Sequence, residues 1–214
     1  MEPLNHTFSV PVPIAEAWNV LTNVERIAPC LPGAQLQEVE GETYRGAVKV
    51  KVGPIQAQFK GQASFVEKDD VNYKVVLKGE GRDTGGKGNA SAVITAQLTA
   101  IDATSTQVNV NTDLSITGKV AQFGRGAFAD VSDKLLAQFS DNLNNLIASE
   151  PAAAAPAPEA APTAETGQPV VRKIDGPEAA PINLIEAAGG TIVKRALPVV
   201  AGVAVLVLLL IAIL

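Results

Sequence analysis

Residues 44–65 read YRGAVKVKVGPIQAQFKGQASF. Tyr44, Gly46, Val48, Val50 and Val52 alternate with Arg45, Ala47, Lys49 and Lys51, the period of two that marks a half-buried strand. Gly53-Pro54 turns the chain. Ile55, Ala57, Phe59, Gly61, Ala63 and Phe65 then share one face, against Gln56, Gln58, Lys60, Gln62 and Ser64 on the other. The stretch is an antiparallel hairpin with one wet and one apolar side.

The same period recurs on both sides of it. Upstream, Leu4, His6, Phe8 and Val10 share a face of an opening strand that Pro11 and Pro13 end, and Gln35 to Glu40 is a weaker strand before the turn Gly41-Glu42. Downstream, Lys68-Asp69-Asp70 turns into a strand carrying Tyr73, Val75 and Leu77, and Gly79 to Gly88 reads as a Gly-rich loop. Ala90, Ala92, Ile94, Ala96 and Leu98 line the next strand, and Val108, Val110, Leu114 and Ile116 the last. Between the first two strands, Ile14, Trp18 and Leu21 are spaced for one short helix, and Val24 to Ala28 for a second that Pro29 closes.

Some seven strands in hairpin order, each wet on one side, need an apolar cover. Val120, Phe123, Ala127, Val131, Leu135, Phe139, Leu143 and Ile147 supply it, recurring at threes and fours, with Phe128, Leu136 and Leu146 widening the stripe. They predict a helix of about 28 residues, roughly 42 Å long. The fold class is α+β: residues 1–149 form a curved antiparallel sheet gripping a long C-terminal helix.

From Glu150 the composition changes. Seven of the fourteen prolines fall within 150–181, in an Ala/Pro/Glu mixture without apolar period. It is expected to be a structureless tether over 150–193, reaching ~100 Å across 150–181. Within it, Ile182 to Val193 regains apolar character and reads as an interfacial helix or a docking segment. The chain ends on ALPVVAGVAVLVLLLIAIL, residues 196–214, which carry no charge. Nineteen helical residues span roughly 28 Å, close to the ~30 Å core of a bilayer. Residues 194–214 therefore predict a single transmembrane anchor. Lys194 and Arg195 hold it at the headgroups, Pro198 sits in its first turn, and Leu206 and Leu210 lie within the hydrocarbon. Cations on the N-terminal flank put the body of the protein in the cytoplasm.

A net charge of −5 argues against nucleic acid as a partner. The one cysteine, Cys30, excludes an intramolecular disulfide and suits a reducing compartment. One Cys and one His make neither a zinc site nor a nucleophile–base pair, so no metal and no catalytic residue is expected. Gly81 to Lys87 superficially fits a phosphate loop. It fails at Gly88, where Ser or Thr is required, and a strand follows where the motif needs a helix.

The informative feature is the size of the inward residues. Gly46, Ala57, Gly61, Ala63, Gly79, Ala90, Ala92 and Ala96 all fall on apolar faces. Small residues beneath a long helix imply either very close helix–sheet packing or an internal cavity. An apolar ligand held there would meet Val48, Phe59 and Phe65 of the central hairpin and Tyr73 and Leu77 of the strand after it. Ala92, Ile94, Ala96 and Leu98 would follow, with Phe123, Phe128, Val131 and Leu135 above them on the helix. Polar groups on inward faces are few, namely His6, Tyr44 and Tyr73.

Four segments carry a family resemblance: FSVPVPIAEAWNVL (8–21), NVERIAPCLPGA (23–34), VKVKVGPIQAQFKG (48–61) and KVAQFGRGAFADVSDKL (119–135). With the order of elements, they resemble the CoxG family of carbon monoxide dehydrogenase subunits, within the SRPBCC, START-like helix-grip superfamily. The resemblance implies an accessory protein, not an enzyme, that recruits a cytoplasmic molybdenum-containing dehydrogenase of the carbon monoxide dehydrogenase type to inner-membrane lipid. A tethered domain with an apolar interior serving such an enzyme would hold a respiratory quinone, menaquinone or ubiquinone, with no covalently bound cofactor of its own. A ligand-free anchor and a cyclase-like enzyme of the same fold are the alternatives.

Overall fold

The computed structural model describes residues 3–52, 55–86, 88–118, 125–149, 171–174 and 182–183. The chain forms β1 (Leu4–Val10), helices α1 (Ile14–Leu21) and α2 (Val24–Ile27), a 3₁₀ turn (Ala28–Cys30), β2 (Ala34–Glu40) and β3 (Thr43–Val52). β4 (Ile55–Asp69), β5 (Lys74–Asp83), β6 (Gly88–Ala100) and β7 (Thr106–Gly118) follow, then helix α3 (Arg125–Ser149) and two short strands, β8 (Arg172–Lys173) and β9 (Ile182–Asn183). All lie in one sheet of order β1-β7-β6-β5-β4-β3-β2-β8, with β9 on β3. β2 to β7 is an antiparallel meander, and β1 returns beside β7 with His6 opposite Val110 and Phe8 opposite Val108.

The expected alternation sets the faces. Along β1 the pattern is half-buried and exposed by turns, ending on Val10 at 1% exposure. Along β5 it is strict, with Val75, Leu77, Gly79, Gly81 and Asp83 buried. Here the structure corrects the expected Gly-rich loop at 79–88, because β5 continues through Asp83 and β6 begins at Gly88. Gly79 and Gly81 are held in the ladder by partners on both sides: Ala63 and Gly61 on β4, Ala92 and Ala90 on β6. Glycine's weak strand preference is overridden by two complete sets of neighbours. Tyr73, expected in the strand, lies just before it in a turn at φ 53°. Its carbonyl accepts from Leu98 N at 3.0 Å, and its ring meets Trp18 edge-on at 5.7 Å.

α1 and α2 close one end of the sheet. Trp18 Nε1 donates to Asp70 Oδ1 at 2.7 Å, tying α1 to the β4–β5 turn. Asn23 caps α2 by accepting from Arg26 N at 3.1 Å. Pro29 does not stop the chain at once. It sits inside the 3₁₀ turn, where its missing N–H leaves no bond unmade.

α3 lies across the inner face. Leu135, Phe139 and Leu143, spaced by four, are 4%, 2% and 0% exposed. Phe139 meets Phe8 edge-on at 5.9 Å, and Asn142 Nδ2 donates to the Cys30 carbonyl at 2.9 Å. The helix is described from Arg125, and the expected start near Val120 lies outside the described residues. Within the stretch 150–193 expected to be structureless, Arg172–Lys173 pairs antiparallel with β2 and Ile182–Asn183 runs parallel to β3. Composition predicts no strand there; an open sheet edge supplies the partner that the segment lacks by itself. Among the described residues no helix is long and apolar enough to cross a membrane, and residues 194–214 lie outside them.

Candidate functional site

The register turns scattered small residues into a surface. Gly46, Gly61, Gly81 and Ala90 stand opposite one another on four neighbouring strands, and Ile116 ends their row. The next row runs Tyr44, Ala63, Gly79, Ala92, Leu114. Directly opposed residues of an antiparallel sheet share a face, so these two rows form a contiguous floor of Gly and Ala on the inner side. Larger residues bound it. On one side stands the row Phe65, Leu77, Ile94, Thr112, Leu4, and on the other Val48, Phe59, Asp83. Tyr44 and Phe65 meet edge-on at 5.9 Å across one corner.

The structure brings together most of the residues expected to line a ligand site. Val48, Phe59, Leu77, Ala92, Ile94, Leu98 and Leu135 are buried in one core, and Phe65, Tyr73 and Ala96 are partly buried against it. Tyr73 stands apart from the floor, at the turn beside Trp18. Phe128 and Val131 lie on α3, ahead of its described side chains, and Phe123 lies outside the described residues, as do Lys194, Arg195, Pro198, Leu206 and Leu210.

The expected polar inventory was too short. Besides His6, Tyr44 and Tyr73, the interior holds Asp83, Thr106, Thr112 and Ser132, each at most 3% exposed. Thr106 Oγ1 donates to the Val12 carbonyl at 2.8 Å. Thr112 Oγ1 and Ser132 Oγ have no hydrogen-bond partner among the described residues. A buried hydroxyl without a partner costs about 1–3 kcal/mol, so such a group calls for an occupant that supplies one. Thr112 was legible in principle. It occupies the inward position between Val110 and Leu114, where strand parity demands an apolar residue. Ser132 has no comparable signal, because a helix tolerates serine on many faces.

Apart from the buried Asp83, the charged contacts of α3 lie near the margins. His6 Nε2 lies 3.2 Å from Asp133 Oδ1, joining β1 to α3 at a carboxylate whose side chain is 70% exposed. Burial raises the pKa of the Cys30 thiol, against a smaller opposing effect of Arg26, so Cys30 is a packed thiol and not a nucleophile. Burial also raises the pKa of the Tyr44 phenol, and nearby Glu25 and Glu42 add to the shift. Tyr44 is therefore a neutral donor throughout the physiological range. An open groove of about 470 Å³ lies on the opposite, outer face, walled by Lys60, Gln62, Glu80, Arg82 and Ser91, with Gly61 and Gly81 at its base. Its polar walls offer an apolar molecule nothing. The inner face is the candidate site.

Comparison with known proteins agrees with this geometry. The family model for CoxG, a subunit of carbon monoxide dehydrogenase, matches residues 7–148. No curated protein matches the chain. Among solved structures, a conserved protein from Geobacillus kaustophilus aligns with TM-score 0.62 at 20% identity, over 68% of this chain and 95% of that one. Ara h 8.0201 aligns with TM-score 0.50 at 16% identity, over 69% and 98%. The Zhui aromatase/cyclase from Streptomyces sp. R1128 gives 0.42 at 15% identity, over 68% and 90%, too low a score to carry an argument. Likeness at these identities is one of fold, the helix-grip arrangement described above. The matched family model covers well over half of the chain, from β1 to the end of α3, and this protein belongs to the CoxG family of carbon monoxide dehydrogenase subunits.

Proposed function

We propose that this chain is a membrane-tethered accessory protein of the bacterial inner membrane, with its folded domain in the cytoplasm. It recruits a molybdenum hydroxylase of the carbon monoxide dehydrogenase type and carries a respiratory quinone, menaquinone or ubiquinone, beneath α3. The observation that carries the ligand half is the Gly/Ala floor bordered by Thr112, whose hydroxyl, like that of Ser132, has no partner among the described residues. A floor of Gly and Ala suits an occupant lying under the helix, and hydroxyls without a partner among the described residues suit the ring carbonyls of a quinone. The isoprenoid tail would lie against Phe59, Phe65, Leu77 and Ile94, away from water. The apolar run at 196–214 supports the tether, and the family supports the partner.

In this reading the chain performs no redox chemistry itself. It holds the quinone out of the bilayer and presents it to the dehydrogenase, and the tether raises the effective concentration of one for the other. A ligand-free scaffold is the competing reading. It is favoured by the tight burial of Val48, Phe59, Ala63, Ala92 and Leu143, each at most 1% exposed, as in a filled core. The full chain, purified in detergent from a quinone-producing bacterium and extracted with organic solvent, decides between them by mass spectrometry. A stoichiometric prenylated quinone, lost in Ala92→Leu while dehydrogenase binding persists, supports the carrier. An empty chain that still binds the dehydrogenase makes it a scaffold.

A further inference from the structure

The exposed edge of the sheet is occupied by the chain's own C-terminal extension. Arg172 pairs with Val39 and Lys173 with Glu38 on β2, antiparallel, and Ile174 N donates to the Gln37 carbonyl at 2.8 Å. β2 ends opposite Val48, at Ala34. Beyond that point the edge of β3 lies open, and there Ile182 and Asn183 pair with Val50 and Lys51. An antiparallel neighbour of β2 runs the same way as β3, and β9 is parallel to β3, so both segments run in one direction along one edge. Nine chain steps lead from Lys173 to Ile182, about 30 Å of extended chain. The ladder positions they serve, Arg45 and Val50, are five residues apart, about 17 Å. The step is made with slack.

Side chains select this segment over the surrounding Ala/Pro sequence. Arg172 pairs with the carboxylate of Glu25 in the first turn of α2. Lys173 stands opposite Glu38, a cross-strand pair of opposite charge. Ile174 packs against the core. Val171 remains 45% exposed and the Arg172 side chain 59% exposed, so the contact is shallow enough to exchange.

We infer that the β2–β3 edge is a docking site for this chain's own residues 172–174 and 182–183, and that docking there sets the reach of everything after it. Docked, the eleven chain steps from Asn183 can place residue 194 no farther than about 40 Å from β3. Undocked, the forty-four residues 150–193 could extend to roughly 140 Å. An extended strand from a partner that took the edge would free the longer arm. The consequence for shuttling rests on the proposed tethering, whereas the docking does not.

The test uses the full chain in detergent micelles and in lipid nanodiscs. Hydrogen exchange is followed in the peptide covering residues 36–40, with residues 90–98 in central β6 as the control. Arg172→Glu/Ile174→Asp should speed exchange at 36–40 at least tenfold and leave 90–98 unchanged. Ile174→Pro, which removes one donor and alters no residue of the folded domain, should act in the same direction. In parallel, energy transfer between dyes at residues 103 and 190 should shift to a longer mean distance in both variants. Unchanged exchange at 36–40 together with unchanged transfer overturns the docking. If the parent fails to enter nanodiscs but the micelle results stand, the tethering is wrong and the docking is right.

Discussion

Substituting Ala92 by leucine tests whether the space under α3 is open, because the sign of the stability change depends on the answer. Ala92 is 1% exposed and stands between Gly79 and Leu114 in the middle of the small-residue floor. All three added carbons would be buried. If they enter vacant space, each contributes about 0.8 kcal/mol, some 2.4 kcal/mol in total. For a domain of this size that raises the midpoint of thermal unfolding by roughly 5–10 °C. If the interior is already filled, overpacking costs about 1–3 kcal/mol and the midpoint falls. Trp18, the chain's single tryptophan, is 4% exposed and edge-on to Tyr73, so its fluorescence reports unfolding of the domain. Both proteins must first be stripped of extractable lipid, since a ligand bound only to the native state would itself raise the midpoint. The expected result is a more stable apoprotein that takes up no quinone. A less stable one with unaltered quinone content would refute the argument from the floor.

Leu143→Ala removes the fully buried side chain of α3 and should cost about 2–5 kcal/mol, read as a lower urea midpoint of Trp18 fluorescence. The turn carboxylates control acid stability. Asp69, hydrogen-bonded by the side chain and backbone of Asn72, and Asp102, by Ser105 and Thr104, have folded pKa values below the ordinary 3.8. Their contribution is therefore complete above about pH 4 and lost as pH falls through the folded values. Asp102→Ala should be less stable than the parent at pH 6, and the gap should close as pH falls below the ordinary 3.8; a gap that stays constant on acidification would contradict this. Cys30, buried with its pKa raised, should react slowly with iodoacetamide at pH 8 until urea unfolds the domain, and rapid native alkylation would show the 3₁₀ turn to be open.

How far the chain could be read depended on the range of the forces involved. Strand parity is local. Each residue of β3, β4 and β6 faces in or out according to its neighbours two positions away, so the α+β class, the meander and most of the inward-facing residues were legible. The covering helix was equally legible, from Leu135, Phe139 and Leu143 at spacings of four. Parity misled where a residue's own preference opposed its neighbours, and at Tyr73, which the turn before β5 takes out of the ladder. Gly79 and Gly81 read as loop by composition, yet Gly61, Ala63, Ala90 and Ala92 hold them in the ladder. Thr112, skipped as polar, turned out to face inward.

By itself the sequence determined which residues face inward, that a long amphipathic helix must cover them, and that an apolar run follows a proline-rich one. The tertiary structure alone decided the rest, because it required the register. Only pairing across four strands shows that Gly46, Gly61, Gly81 and Ala90 form one row. Only packing shows that the buried hydroxyls of Thr112 and Ser132 find no partner among the described residues. Only the open edge of β2 explains why Arg172 and Lys173, unremarkable in sequence, become a strand and Ile174 bonds beside it. A ladder bond joins residues more than a hundred positions apart, and no local pattern encodes which distant edge will be free to accept it.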